Sequence, residues 1–199
     1  ALIERAFNLL KGKKIAIVIG SDILHYPEGY SIMDAVFNLA LLTGSIGAKG
    51  AGFFIPLIKN NLMGAMDMGT VPDLLPGRRP LTSTTNREAV EKMWQVRLSS
   101  EPGLDMVGLI EAVENGKVKA AYIMGENIVR SLPQSKRVEA ALKKLDFLVV
   151  QDIFYDRTAK LADVILPGAT VAEKSGSFTN MEGRFQTFFP VVNPPGDAH

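Results

Sequence analysis

Two apolar runs near the carboxyl end, separated by a gap that holds no more than one short helix, restrict the fold more than any other feature. Phe147-Leu148-Val149-Val150 runs into Gln151-Asp152-Ile153-Phe154, and Val164-Ile165-Leu166 stops at Pro167-Gly168. Between them, Asp156 to Ala162 reads as a short helix. Run, helix, run is the pattern of two parallel strands joined by a crossover, because parallel neighbours cannot be joined by a tight hairpin. Such an edge, where strands end in polar groups, is where open α/β sheets bind ligands.

The same alternation recurs upstream. Leu2, Ile3, Ala6, Phe7 and Leu10 recur at helical spacing and Gly12 stands at the C-cap position. Ile15 to Ile19 is apolar throughout and ends at Gly20, which fits a strand buried on both faces. A helix follows from about Ser31 to Thr43, carrying Ile32, Ala35, Leu39 and Leu42, and Gly44 stops it. Leu104, Val107, Ile110 and Val113 form a further helix face, Ala120 to Met124 a strand, and Val138, Ala141, Leu142 and Leu145 the next helix face. The expected fold is α/β, a Rossmann-like doubly wound, mainly parallel sheet with right-handed crossovers. One domain over residues 1–199 is expected, with a long irregular insertion from about 44 to 103 that holds one short helical piece near Asn86 to Val96. Ordered loops of that length are usually functional; an insertion packed on a neighbouring domain is the other account.

Composition narrows the chemistry. A net charge of +1 leaves no electrostatic footprint for nucleic acid or an anionic membrane. The cluster Lys136, Arg137, Lys143 and Lys144 reads as a solvated helix face. No apolar run approaches the ~20 residues that span a bilayer, and no signal-peptide pattern opens the chain, so no direct membrane insertion and a cytoplasmic location are expected. The chain opens at Ala1 and closes on Asn193-Pro194-Pro195-Gly196-Asp197-Ala198-His199, which reads as a segment of something longer. It has no cysteine, and only His25 and His199 offer imidazoles. No metal site and no catalytic residue is therefore assigned.

Three strand ends share a rhyme: Gly20-Ser21-Asp22, Gly125-Glu126-Asn127 and Gln151-Asp152. A glycine there lets backbone N–H groups approach a phosphate, and the following helix N-terminus favours negative charge. Neither glycine sits in a GxGxxG or P-loop pattern, which argues against an ordinary nicotinamide dehydrogenase or nucleotide hydrolase. A carboxylate beyond such a strand can accept hydrogen bonds from a ribose diol or from the N1–H and exocyclic amine of guanine. Asp152 is the leading candidate; capping a helix that starts near Tyr155 is its alternative role. Glu126 and Asn127 are assigned to ribose or diphosphate, and Thr158 and Lys160 could reach phosphate oxygens, with a surface role equally open to Lys160. Arg184 could hold a phosphate or pair with Glu173 or Glu182.

The segment from Phe147 to Ala169, with Glu173-Lys174-Ser175-Gly176-Ser177-Phe178-Thr179-Asn180-Met181-Glu182-Gly183-Arg184-Phe185-Gln186, resembles the large subunits of the molybdopterin oxidoreductase family. Leu41-Leu42-Thr43-Gly44-Ser45-Ile46-Gly47, Asn60-Asn61-Leu62-Met63-Gly64-Ala65-Met66-Asp67-Met68-Gly69 and Ala121-Tyr122-Ile123-Met124-Gly125-Glu126-Asn127 extend the resemblance in order along the chain. It is similar to formate dehydrogenase catalytic subunits and to the G-type subunit of bacterial NADH-quinone oxidoreductase.

The resemblance implies a molybdopterin guanine dinucleotide whose guanosine end meets Asp152, with Gly20, Ser21, Asp22, His25 and Asn61 bordering the cofactor cleft. For Asn61 and its neighbours, loop-stiffening through Asx hydrogen bonds is the competing account. Iron–sulfur clusters and the metal's thiolate or selenolate ligand would belong to other regions, because both need side chains this chain lacks. The implied partners are the remaining domains of the same subunit and electron-transfer subunits, in a complex that can associate with a membrane. Asp22 and His25, where similar formate dehydrogenases more often carry Gly and Thr-Gln, and Glu182 to Gln186 tilt the reading toward the G-type subunit or an intermediate form. A cofactor-free scaffold domain of a respiratory NADH dehydrogenase is the alternative.

Overall fold

The computed structural model describes residues 2–198, so His199 lies outside the described residues. They gather into two compact units. The first takes the chain up to Gly64 together with Phe178–Phe185; the second takes Ala65–Ser177 and the chain from Gln186 onward.

The first unit opens with helix α1 (Leu2–Leu10), after which Gly12 adopts φ 71°. Strand β1 (Ala16–Val18), helix α2 (Gly29–Leu42) and strand β2 (Gly52–Phe54) form a βαβ unit, with the strands parallel in the register Ala16↔Gly52 to Val18↔Phe54. Phe53, paired with Ile17, meets Phe37 of α2 edge to face with ring centroids 5.6 Å apart. Ile15, Ile17 and Ile19 are accordingly half-buried, while Ala16 is exposed and Val18 is 65% exposed. This corrects the two-sided burial expected of the apolar run: β1 has one strand neighbour, and the helix covers one face of the pair. Leu-Leu-Thr-Gly-Ser has a local purpose. The Thr43 hydroxyl bonds the Leu39 and Ala40 carbonyl oxygens, and Gly44 turns the chain at φ 65°. Buried Ser45 then accepts the Ile15 N–H at 2.9 Å, anchoring the strand edge.

Helix α3 (Leu62–Asp67) follows, then a short antiparallel pair, β3 (Leu74–Leu75) with β4 (Arg79–Pro80), and helix α4 (Thr84–Trp94). The stretch 44–103, expected to be irregular apart from one helical piece, therefore also holds β2, α3, β3 and β4. These elements run two to six residues, too short for periodicity to mark them. Arg78 Nε meets Asp67 Oδ1 at 2.6 Å, tying the tight β3–β4 turn to the end of α3.

The rest of the second unit is built on a three-stranded parallel sheet. Helix α5 (Met106–Glu114) is capped by Asp105, whose Oδ1 accepts the Gly108 N–H at 2.7 Å. Then come strand β5 (Ala120–Met124), helices α6 (Ile128–Ser131) and α7 (Ser135–Leu142), strand β6 (Phe147–Asp152), a 3-10 turn at Ala159–Leu161 and strand β7 (Val164–Pro167). The spatial order is β5-β6-β7. One sheet face carries Ile123, Leu148 and Val150, buried with Ile110 and Val113 of α5 and Leu142 of α7. Burial of each such side chain stabilises the fold by ~1.5–3 kcal/mol. Asp163 locks β6 to β7 from both ends of its own residue: its Oδ2 accepts the Leu148 N–H at 2.7 Å, and its N–H donates to the Leu148 oxygen at 2.9 Å.

The polar segment after residue 175 is a two-stranded ribbon of β8 (Gly176–Thr179) and β9 (Phe185–Phe188). Asn180 closes its tip, Oδ1 accepting N–H groups of Glu182 and Arg184 at 3.0 and 2.9 Å.

Candidate functional site

The carboxyl ends of β5, β6 and β7 open into a cleft of about 780 Å³ in the second unit. That size falls within the ~300–1,000 Å³ typical of small-molecule sites. Gly125, Asn127, Gln151 and Asp152 all line it. Their convergence follows from register. Met124 pairs with Gln151, so Gly125 lies beside the end of β6 and donates its N–H to the Gln151 oxygen at 2.8 Å. Gly125 adopts φ 64°, and a Cβ built there would meet nothing within 4 Å. The backbone at the mouth is therefore left-handed and uncovered.

Asp152 is the last residue of β6. Its Oδ1 accepts the Phe154 N–H at 3.0 Å, an Asx-type turn that fixes the carboxylate at the strand end. The helix-capping duty considered for it falls to Asp156 instead, whose Oδ1 takes the N–H groups of Thr158 and Ala159, both at 2.9 Å.

Thr158 is placed beneath the rim rather than on it. It is 0% exposed, its hydroxyl donates to Asn127 Oδ1 at 2.9 Å, and its oxygen accepts the Val129 N–H at 3.2 Å. With its one proton engaged inside the protein, it shapes the cleft by holding α6. Glu126 is half-buried and does not line the cleft. Lys160 stands 5.8 Å from the centre of the Tyr155 ring, a cation–π distance.

Four polar side chains on the cleft wall escaped the sequence reading: Arg130, Asp156, Thr170 and Lys174. The signal for Arg130 was present, since it follows Asn127 by three residues, and one helical turn returns a side chain to the same face. It was missed because α6, four residues long, was not recognised.

Gly20, Ser21, Asp22, His25 and Asn61 belong to the first unit. Ser21–His25 forms a 3-10 turn in which Asp22 and His25 are exposed. Gly20, at φ −64° with open space where a Cβ would stand, is not required by its own backbone. Asn61 is left-handed at φ 60°, and its Oδ1 accepts the Thr179 N–H at 2.9 Å. It lines a second hollow of about 330 Å³ within the first unit, with Lys59, Asn60 and Asn180.

Among the described residues no group of three or more His, Cys, Asp and Glu is placed to hold a metal ion, and no helix is long and apolar enough to cross a membrane. Perturbed titration lies on the outer helices. Hydrogen bonding from Arg137 holds Glu114 below the ordinary carboxylate value, and bonds from Lys143 and Arg157 do the same for Glu139.

Comparison with known proteins gives this arrangement a context. Residues 5–199 match the family model described as molybdopterin oxidoreductase. The chain is 43% identical to the F420-dependent formate dehydrogenase subunit alpha of Methanocaldococcus jannaschii, over 99% of this chain and 29% of that protein. It is 37% identical to formate dehydrogenase H of Escherichia coli, over 94% of this chain and 26% of that protein. A G-type subunit of NADH-quinone oxidoreductase from Rhizobium meliloti is 35% identical, over 98% of this chain and 23% of that protein. The chain thus spans less than a third of the length of each of these relatives.

Proposed function

Because the chain belongs to the molybdopterin oxidoreductase family, whose model matches nearly all of it, we propose that the cleft at the β5–β7 strand ends grips the guanine-dinucleotide arm of the pterin cofactor. One observation carries the reading: Gly125 and Asn127 from the end of β5 and Gln151 and Asp152 from the end of β6 converge on one cleft at the carboxyl edge of a parallel sheet.

The residues present suit that ligand. The Asp152 carboxylate, fixed through Oδ1, is an acceptor for the N1–H and amine of guanine. Arg130 and Lys174 supply positive charge for a diphosphate on the same wall, and open space over Gly125 admits a phosphate close to the backbone. Ile153, Phe154 and Val171 give the purine ring apolar surface. When bound, the metal–pterin group supplies the two-electron redox chemistry; the chain's own residues bind and orient its nucleotide end. The thiolates for iron–sulfur clusters and for the metal come from outside this cysteine-free chain, which is inactive alone in this reading.

The larger protein is then an oxidoreductase subunit that passes electrons from a small substrate such as formate, or from a reduced nicotinamide, through partner subunits. Glu182 to Gln186 does not discriminate between a formate dehydrogenase and a G-type subunit, because Asn180 gives that segment a local turn-forming role.

Calorimetric titration of the chain with GDP tests the reading. Saturable binding is expected, weakened about tenfold or more by Asp152→Asn, the loss of a charge-assisted hydrogen bond. No saturation at millimolar GDP, with no effect of Asp152→Ala, would favour the cofactor-free scaffold.

A further inference from the structure

Away from the cleft, the β3–β4 hairpin and helix α4 enclose a hollow of about 240 Å³, lined by Pro76, Gly77, Arg79, Val90, Met93 and Trp94. Residues 90, 93 and 94 are spaced by three and four, so α4 brings them to one side. Val90, 3% exposed, is the floor; Met93 and Trp94, 72% and 49% exposed, stand at the open rim. Both walls are fixed internally. Arg78 is tied to Asp67, and the Gly77 N–H donates to the Asp67 oxygen at 2.7 Å. At the end of α4, the Glu91 carbonyl accepts the Val96 N–H at 3.3 Å and Glu91 Oε1 accepts the Leu98 N–H at 2.9 Å. Consecutive arginines therefore differ: Arg78 holds the turn, whereas Arg79, on the hollow, has no hydrogen bond or ion pair among the described residues. Exposed Lys92 and Arg97 likewise have none, against one such acid between Pro76 and Arg97, Glu88.

We propose that this hollow docks an acidic segment of a partner subunit, which seats one apolar side chain on Val90 beside Met93 and Trp94 and lays its carboxylates against Arg79 and Lys92.

Size and charge together select that occupant. The hollow falls below the ~300 Å³ at which small-molecule sites begin, and suits a single inserted side chain. Tryptophan, methionine and arginine are the residues that protein interfaces concentrate, and a floor that is already buried makes an anchor point for a partner's side chain. Unpaired cations around an apolar centre are complementary to carboxylates, which speed encounter and exclude basic partners. A charged rim also fits a separable partner better than a permanent contact within one chain, since obligate interfaces are the more hydrophobic ones. Only the source of the segment rests on the reading of the larger protein as one subunit among several; the hollow and its charge do not.

Trp94 is the only tryptophan of the chain, so its fluorescence reports the hollow directly. The probe is a short end-blocked peptide with a leucine between runs of glutamate. It should shift Trp94 emission to the blue and saturate, and the same peptide with alanine for leucine should bind ~10-fold or more weakly, having lost a buried side chain. Lysine in place of glutamate should abolish the shift. Arg79→Glu should weaken the glutamate peptide ~10-fold or more and Arg79→Lys by less than ~3-fold. Arg79 is exposed and unpartnered, so both variants should melt with the parent chain. No shift at millimolar glutamate peptide, or equal shifts with glutamate and lysine peptides, would overturn the docking site and leave GDP binding in the cleft untouched. In the native complex, carbodiimide, which joins an amine to a carboxylate without a spacer, should couple Lys92 to a carboxylate of another subunit. A Lys92 product within its own subunit, or none at Lys92, would overturn the partner assignment.

Discussion

The Thr158 hydroxyl donates to Asn127 Oδ1 at 2.9 Å, joining the turn that follows β6 to the residue from which α6 starts. The same oxygen accepts the N–H of Val129, itself fully buried. Two cleft walls are thus set against each other by one enclosed hydroxyl. Thr158→Val keeps the shape and removes both bonds, leaving a buried N–H without its acceptor, and should destabilise the chain by ~1–3 kcal/mol. Thr158→Ser keeps the hydroxyl and should lose only about 1 kcal/mol, the worth of a buried methyl group. Urea unfolding of the two variants checks the order; a valine variant as stable as the serine variant would show that the hydroxyl holds nothing.

Arg130 and Lys174 predict a different signature, in binding rather than in stability. If they meet a diphosphate, the chain should prefer GDP to guanosine, and the preference should shrink with salt as exposed charges are screened over ~8–10 Å. Arg130→Ala should lower GDP affinity about tenfold or more, the worth of a hydrogen bond to a charged group, and leave guanosine unchanged. Parallel titrations at low and high ionic strength decide it. A variant that weakens guanosine as much as GDP would place Arg130 elsewhere in the mechanism.

How much of this was legible follows from element length and from where side chains point. β5 was read to the residue and β6 nearly so, because each is a short continuous apolar run, with Tyr122 and Ile123 in one and Phe147, Val149 and Val150 in the other, bounded by glycine or polar residues. Gly125, Gln151 and Asp152 were legible for the same reason, being the residues at which those runs stop. What stayed hidden is short or three-dimensional. β2 is three residues among glycines, and α6 is a single turn whose Arg130 becomes a cleft residue only once that turn exists. Thr158 was legible as a polar group near the strand ends but not as a buried one, since its depth depends on Asn127 arriving from another strand. The doubled burial expected of β1 failed because an apolar run reports hydrophobicity, not the number of neighbours the strand acquires.

Glu114 and Arg137 join α5 to α7 through two hydrogen bonds of 2.6 and 2.8 Å, and the bond from Arg137 lowers the Glu114 carboxyl below its ordinary value of 4.5. A folded-state value below the unfolded one means that the unfolded chain binds the proton more readily. This pair's stabilisation is therefore present above pH ~4.5 and fades as pH falls through the folded-state value. Glu114→Gln should melt lower than the parent chain at neutral pH, and the gap should close as acidification passes through the folded-state value. Since the pair is exposed, added salt should narrow the gap as well. A gap that persists unchanged in acid would assign the loss to packing.

Gly125 separates backbone need from ligand access. At φ 64° an L-residue with a Cβ is disfavoured by ~1–2 kcal/mol, although the added carbon would meet no atom within 4 Å. Gly125→Ala should therefore cost about that much stability through conformation alone, with the 2.8 Å bond to the Gln151 oxygen kept. Asparagine tolerates the left-handed region better, so Gly125→Asn should be the more stable of the two while placing a larger side chain over the cleft mouth. If the glycine serves only the turn, nucleotide affinity should follow stability, with asparagine the milder change. Should a phosphate approach the backbone there, the order reverses in binding: asparagine, the better-folded variant, loses more GDP affinity than alanine. Melting temperatures and GDP titrations on the same two proteins show which order holds, and matching orders would remove Gly125 from the ligand's path.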